Sequence, residues 1–198
     1  MSTIPSDKSN GYEKVAEHFM SARNVGIGGS TVREWSRTLA PGSSVLDLGC
    51  GHGVPISQVL VEEGFDVYGV DGSAKLIQAF RERFPFAHAE CEAVEDSEFF
   101  RRTFDGIVAC ELMFLLTPKV QAEVIRKVGR ALSPGGKFLF TSPKEAVQWR
   151  DSLTGRESFS LGAERYEEIL HEVGLVLVGE QIDEGRNHHY FVARSGEA

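Results

Sequence analysis

Residues 45–55 read VLDLGCGHGVP. An apolar run at 45–48 carries one acid, Asp47, and then breaks into glycines at 49, 51 and 53. From Pro55 the pattern turns helical, with Ile56, Val59 and Leu60 on one face. A buried strand, a turn of bare backbone and a helix follow one another, and this unit sets the fold.

The same alternation continues along the chain. Strand-like runs stand at 65–71, 86–90, 104–111 and 136–142. Between them, Ser73 can cap a helix carrying Leu76, Ile77, Phe80 and Phe84, and Thr117-Pro118 opens another carrying Val120, Val124 and Val128. Tyr166, Ile169, Leu170 and Val173 mark a further helix face. Two strands joined by a short connection, 174–182 and 188–194, close the chain as an antiparallel pair. Alternating β and α elements imply a mostly parallel sheet with helices on both faces. Tyr12, Val15, Ala16 and Phe19 make an amphipathic helix ahead of this pattern, and Val32 and Trp35 suggest a second. Both are expected at the edge of the sheet, over a ligand.

The whole chain bounds the function. Its 198 residues suit one domain; 41% are hydrophobic, 25% are charged, and the net charge is −8. That balance argues against a nucleic-acid partner, which needs a basic face. No apolar run is long enough to span a membrane, and the first residues lack a signal-peptide core, so a cytoplasmic protein is expected. Cys50, Cys91 and Cys110 show no CxxC spacing and read as reduced thiols. His188 and His189 are adjacent on a strand and face opposite sides, so they cannot share one ion, and no metal site is expected.

In an open α/β sheet a ligand lies beyond the carboxyl ends of the strands, where the strand order reverses. Gly49, Gly51 and Gly53 belong to the turn there, and bare backbone lets a ligand lie close. The spacing is G-x-G-x-G, with Val54 where a dinucleotide turn keeps its last glycine. Asp47, two residues ahead of the turn, repels a pyrophosphate and attracts an ammonium or sulfonium. Asp71 ends the second strand, where a carboxylate can accept both hydroxyls of a ribose; it can also cap the helix at Ser73. Glu92 can accept from an adenine amino group beside the backbone N–H of Ala93, or stand as an exposed loop acid. Cys50, between two glycines, is a small residue and not a nucleophile.

VLDLGCGHG, VYGVDGS, ECEAVE, FDGIVACELMFLL and ALSPGGKFLFTSP, in this order over residues 43–143, resemble the class I S-adenosylmethionine-dependent methyltransferases. The closing strand pair extends the likeness to about residue 194. The resemblance implies a Rossmann-like, doubly wound sheet of seven strands, order 3-2-1-4-5-7-6, with the last strand antiparallel. It implies one domain over 1–198, with a helical cap at 1–40 and a core at 43–194. Asp47, Gly49, Cys50, Gly51 and Gly53 then meet the methionine end of S-adenosylmethionine. Asp71, Gly72 and Ser73 meet its ribose, Glu92 and Ala93 its adenine, and Cys110 and Glu111 lie near the methyl group. An NPPY-type element is missing after the fourth strand, where CELM stands, which counts against a DNA-adenine methylase.

A base is needed only if the acceptor loses a proton. Glu111 and His188 are the candidates, with His189 and His18 behind them; Glu111 can equally be a solvated strand end. Tyr12, Phe19, Met113, Phe114, Trp149 and Arg150 are candidates for the acceptor wall, with 149–162 as its long polar segment. Small size and acidic charge point to methyl transfer onto an O, N or S atom of a small molecule. Two other readings stay open: a non-catalytic S-adenosylmethionine-binding regulator, and an NAD(P)-dependent oxidoreductase.

Overall fold

The computed structural model describes residues 7–195. Two helices come first, α1 (Tyr12–Ala22) and α2 (Gly29–Ser36). Strands and helices then alternate: β1 (Ser44–Leu48), α3 (Ile56–Glu62), β2 (Asp66–Asp71), α4 (Ala74–Arg83), β3 (His88–Cys91), β4 (Phe104–Ala109), α5 (Pro118–Ala131) and β5 (Leu132–Thr141). A hairpin of β6 (Ala146–Arg150) and β7 (Glu157–Leu161) precedes α6 (Ala163–Glu172), and β8 (Leu175–Ile182) and β9 (His188–Arg194) finish the chain. No helix among the described residues is long and apolar enough to cross a membrane.

The main sheet has seven strands in the order β3-β2-β1-β4-β5-β9-β8. Counting only its own strands, this is the expected 3-2-1-4-5-7-6. The strands from β1 to β5 pair in parallel, and β9 runs antiparallel between β5 and β8. The order reverses between β1 and β4, so both strands point their carboxyl ends at the same crevice.

Period-2 alternation sends the side chains of β1 to two separate cores. Leu46 and Leu48 join Val70, Ile107, Val124, Val128 and Ile169 on the face covered by α5 and α6. Val45 joins Val59, Val67, Ile77 and Phe80 on the opposite face, under α3 and α4. The same alternation turns Asp47 and Asp71 toward the α3–α4 face. Ser73 caps α4 as read from the sequence, its hydroxyl accepting the Leu76 N–H at 3.3 Å.

Three features differ from the reading of the sequence. α2 packs against α3 and over the sheet, with Val32 and Trp35 inside the α3–α4 core; α1 alone stays at the carboxyl edge. β5 starts earlier than residue 136, because Leu132 already pairs with Phe104 before a register shift. Residues 146–161 form the β6–β7 hairpin, a small sheet of its own, rather than an irregular wall. A buried polar cluster anchors the hairpin. The Gln121 amide donates to the carbonyls of Leu116 and Phe159, both at 2.8 Å. The Tyr166 hydroxyl donates to Gln121 Oε1 at 2.6 Å and lies 2.7 Å from Ser142 Oγ.

Trp35 reaches the sheet because β4 offers a glycine beneath it. A Cβ on Gly106 would lie 2.8 Å from Trp35 Cη2 and 2.7 Å from Leu39 Cδ1, and the buried indole has nowhere to retreat. Gly106→Ala should therefore cost about 1–3 kcal/mol by overpacking, and each kcal/mol lowers the melting temperature by roughly 2–4 °C in a domain of this size. Thermal unfolding checks this, and an unchanged midpoint would contradict the seat of α2 on the sheet.

Candidate active site

The glycine turn leaves β1 and is fastened to the end of β2. The N–H groups of Gly49 and Cys50 both donate to the Val70 carbonyl, at 2.8 and 3.1 Å. Gly51 donates its N–H to Asp71 Oδ2 at 2.9 Å, and the Ser73 N–H reaches Oδ1 at 2.8 Å. Glycine is required in this turn: Gly51 and Gly53 have φ of 55° and 85°, and a Cβ on Gly53 would lie 2.3 Å from the Phe84 ring. Asp71 thus ties the turn to the start of α4 and keeps further lone pairs for a ligand. Burial raises the affinity of Asp71 for its proton, against the pull of the two amides.

Asp47 is 2% exposed and accepts one bond, from Ser57 Oγ at 2.6 Å. Burial is the main reason its pKa is pushed up to about 7, with the Asp71 charge adding to the rise and Ser57 opposing it. This carboxylate lacks a cation. His52, buried beside it in the turn, packs edge-on to Phe19 at 5.8 Å. Burial, with Arg83 and Arg23 nearby, lowers its pKa to about 4, so the ring is neutral at pH 7. Burial raises the thiols of Cys50 and Cys110 well above the usual range, which makes both inert.

These groups line one cleft at the carboxyl end of the sheet. Of the residues read from the sequence, Tyr12, Phe19, Asp47, Gly49, Cys50, Gly51, Asp71, Gly72, Ala93, Cys110 and Glu111 line it. Gly53 and Ser73 do not; they shape the turn and the cap behind it. Glu92 does not either. Its N–H donates to the Asp71 carbonyl while its side chain is exposed, and Glu95 lines the cleft instead.

The candidate bases are separated. Glu111 follows β4 with φ of 57°, a strained value for a non-glycine residue, and its N–H donates to Thr141 Oγ1 at 2.5 Å. Its carboxylate is paired with Arg23 and receives Asn187 Nδ2 at 3.4 Å. His188 lies outside the cleft, its Nε2 3.3 Å from Glu180 Oε1 on β8, and this removes it from the position expected of a base. His189 is the inward-facing partner, 1% exposed, with Nε2 2.9 Å from Asp183 Oδ2. His18 is exposed on α1.

The acceptor candidates divide as well. Phe114 and Trp149 form a tilted ring pair, centroids 5.5 Å apart, beside the cleft-lining Leu115 rather than in the cleft. Met113 is fully buried in the core. Arg150 is on the surface, 3.1 Å from Glu157, because alternation along β6 turns it opposite to Trp149.

Sequence reasoning missed a strap and a cation. Lys8, Ser9 and Asn10 cross the cleft and line it. The strap is fastened by Lys8 to Asp96, by Asn10 Nδ2 to the Leu115 carbonyl at 3.0 Å, and by Asp7 to Arg156 at 2.7 Å. Glu13 accepts the Ser73 hydroxyl at 2.6 Å and holds the start of α1 against α4. No local pattern announces these contacts, which join residues 60 to 149 positions apart. Arg23 had a signal: it extends the Tyr12–Phe19 stripe by one more turn of helix spacing.

A family model described as a methyltransferase domain matches residues 18–180. The chain is 29% identical over 122 residues to a ubiquinone biosynthesis O-methyltransferase of Photorhabdus laumondii, covering 59% of this chain and 50% of that protein. It is 32% identical over 108 residues to the tRNA N(3)-methylcytidine methyltransferase Mettl2 of Drosophila melanogaster, covering 49% and 33%. The chain thus spans half or less of the length of these relatives. The structure of the CcbJ methyltransferase from Streptomyces caelestis superposes with a TM-score of 0.76 at 17% identity, covering 96% of this chain and all of that one. With the family model matching most of the chain, on a sheet of the order described above, the protein belongs to the class I S-adenosylmethionine-dependent methyltransferases.

Proposed function

We propose that this protein transfers a methyl group from S-adenosylmethionine to an O, N or S nucleophile of a small molecule and releases S-adenosylhomocysteine. We read 1–198 as a single domain, with α1 as the cap of its cleft and α2 on the sheet, working in the cytoplasm, where the unpaired thiols Cys50, Cys91 and Cys110 stay reduced. The observation that carries the reading is the pairing of two carboxylates, the buried Asp47 and the half-buried Asp71, around a bare-backbone turn in one cleft.

The residues fit that donor. Among the described residues Asp47 is buried without a paired cation, and Arg23, although its Nη1 holds Glu111, keeps a buried Nε without an acceptor, so the cleft offers an unpaired acid and a spare cationic donor to a zwitterion. When bound, S-adenosylmethionine supplies a methyl group on a positively charged sulfur. Asp47 and the turn hold the amino-acid end, Asp71 accepts from the ribose hydroxyls, and Ala93, Val94 and Leu76 border the base. Glu111 takes a proton from the acceptor where one must leave. Tyr12, Phe19, Leu112 and Leu116 exclude water and align the nucleophile. Burial, with the charges of Asp151 and Glu111 nearby, raises the Tyr12 phenol, so it serves as a neutral wall and not as a base.

An acidic chain with a partly aromatic cleft supports a small acceptor, as the name of the ubiquinone relative does. The name of the tRNA relative makes the test two-armed. Purified protein with labelled S-adenosylmethionine is offered a metabolite panel and bulk tRNA. Label transferred to a metabolite is the expected result, and label only on tRNA would overturn the small-molecule acceptor.

Two variants test the donor site. Asp71→Ala should weaken S-adenosylhomocysteine binding at least about tenfold, through hydroxyls left unpaired; calorimetry measures it, and equal affinity would remove the ribose role. Asp47 binds its proton up to about pH 7 when folded, against 3.8 for an ordinary aspartate. The folded state therefore holds the extra proton between these values, so stability falls as pH rises from about 4 to 7, and the deficit is complete above 7. Asp47→Asn abolishes that deficit. It should melt above the parent at pH 8, by at least roughly 2–4 °C, the worth of 1 kcal/mol here, and the gap should close as pH drops through 7 toward 4. Equal midpoints at pH 8 would show that Asp47 carries no burial penalty.

A further inference from the structure

We infer that Arg23 is shared between two carboxylates: its free edge captures the amino-acid carboxylate of the methyl donor, in competition with Glu111, and donor binding thereby loosens Glu111 for the acceptor. The inference rests on the donor proposed above and adds an order of events to it.

Among the described residues that line the cleft, the cations are Lys8 and Arg23. The Lys8 side chain is 53% exposed and spent on Asp96. That of Arg23 is 14% exposed, and its partner Glu111 is 27% exposed. Glu111 holds Arg23 by Nη1, while Nε on the other edge is buried and has no partner. A guanidinium presents its donors as a planar fork that fits a carboxylate two bonds at a time. Arg23, which lines the same cleft as Asp47 and already influences its protonation, therefore keeps one donor of its fork unused.

Two carboxylates on one buried guanidinium repel each other, and one positive charge cannot neutralise both. Each weakens the hold of the other, and the coupling is reciprocal. Glu111 is prepared for such a change of partner. Its backbone is fixed by Thr141 at a strained φ, and its carboxylate keeps Asn187 Nδ2 at 3.4 Å when Arg23 turns to the donor. Asn187 is in turn oriented by Asp183, whose Oδ2 accepts from Asn187 Nδ2 at 3.1 Å and contacts His189. Glu111 thus has a second support that does not depend on the cation.

The test uses calorimetry on the full chain with two nucleosides, S-adenosylhomocysteine and 5′-methylthioadenosine, which has the thioether but no amino-acid group. Glu111→Gln should tighten S-adenosylhomocysteine at least about threefold by removing the competing charge, and leave methylthioadenosine unchanged. Arg23→Met should weaken S-adenosylhomocysteine at least about tenfold, the worth of a charge-assisted pair, with methylthioadenosine changed by less than about threefold. Arg23→Lys, which keeps the charge and loses the fork, should lie between. Equal or weaker S-adenosylhomocysteine binding by Glu111→Gln overturns the competition, as does an equal loss of both nucleosides in both Arg23 variants. Parent protein that binds neither nucleoside overturns the methyl-donor reading itself, and this inference with it.

Discussion

The arrangement of the cleft depends on one bond pair: the Asp71 carboxylate accepting the Gly51 and Ser73 amides, at 2.9 and 2.8 Å. It joins the turn after β1 to the cap of α4, so two neighbouring βα units share one rigid corner. Everything else at the carboxyl edge is set relative to that corner. β1 and β2 are in register with Asp47 opposite Gly69. Gly69 leaves room for Cys50 Sγ, which a Cβ there would approach to 2.8 Å. The corner also accumulates negative charge in a region of low dielectric. An acid with one hydroxyl partner, such as Asp47, is expensive to ionise there. A positive charge brought beside it would offset that expense.

Much of this corner was legible in the sequence because its signals are local. Asp47, three glycines at alternate positions and Asp71 lie within 25 residues, and each has a short-range reason to be where it is. Period 3.6 placed Tyr12 and Phe19 on one side of α1, whereas the shared face of the two acids needs the β1–β2 register, with Asp47 on Gly69. The strand order came from likeness to a family, not from periodicity, which cannot tell β9 from β8 as the inner strand. The order of the last two strands is visible only when β9 pairs with β5.

What stayed hidden depends on partners far along the chain. Ala146–Gln148 is exposed, so β6 shows no apolar face to read; the hairpin is held by Gln121 and Tyr166 from two helices. The strap at 8–10 has the composition of any polar turn, and its position is decided by Gly72, whose missing side chain admits the Lys8 carbonyl. Alternation said that His188 and His189 face opposite ways but not which faces in. The register of β9 on β5, with His189 beside Thr141, decided it. Trp35 could be read as helical but not as sheet-facing, since its seat is the absent side chain of Gly106, 71 positions away.

The hairpin also touches both sides of the cleft. Trp149 on β6 packs on Phe114 at one side, while Arg156, at the turn, grips Asp7 of the strap. Its base is fastened to the core by Tyr166 and Gln121, and its turn end by Trp149 and Arg156. Phe114 and the strap thus lean on the same end of one hairpin. Residues 151–156, the six positions of its turn, therefore set the Phe114 side and the strap together.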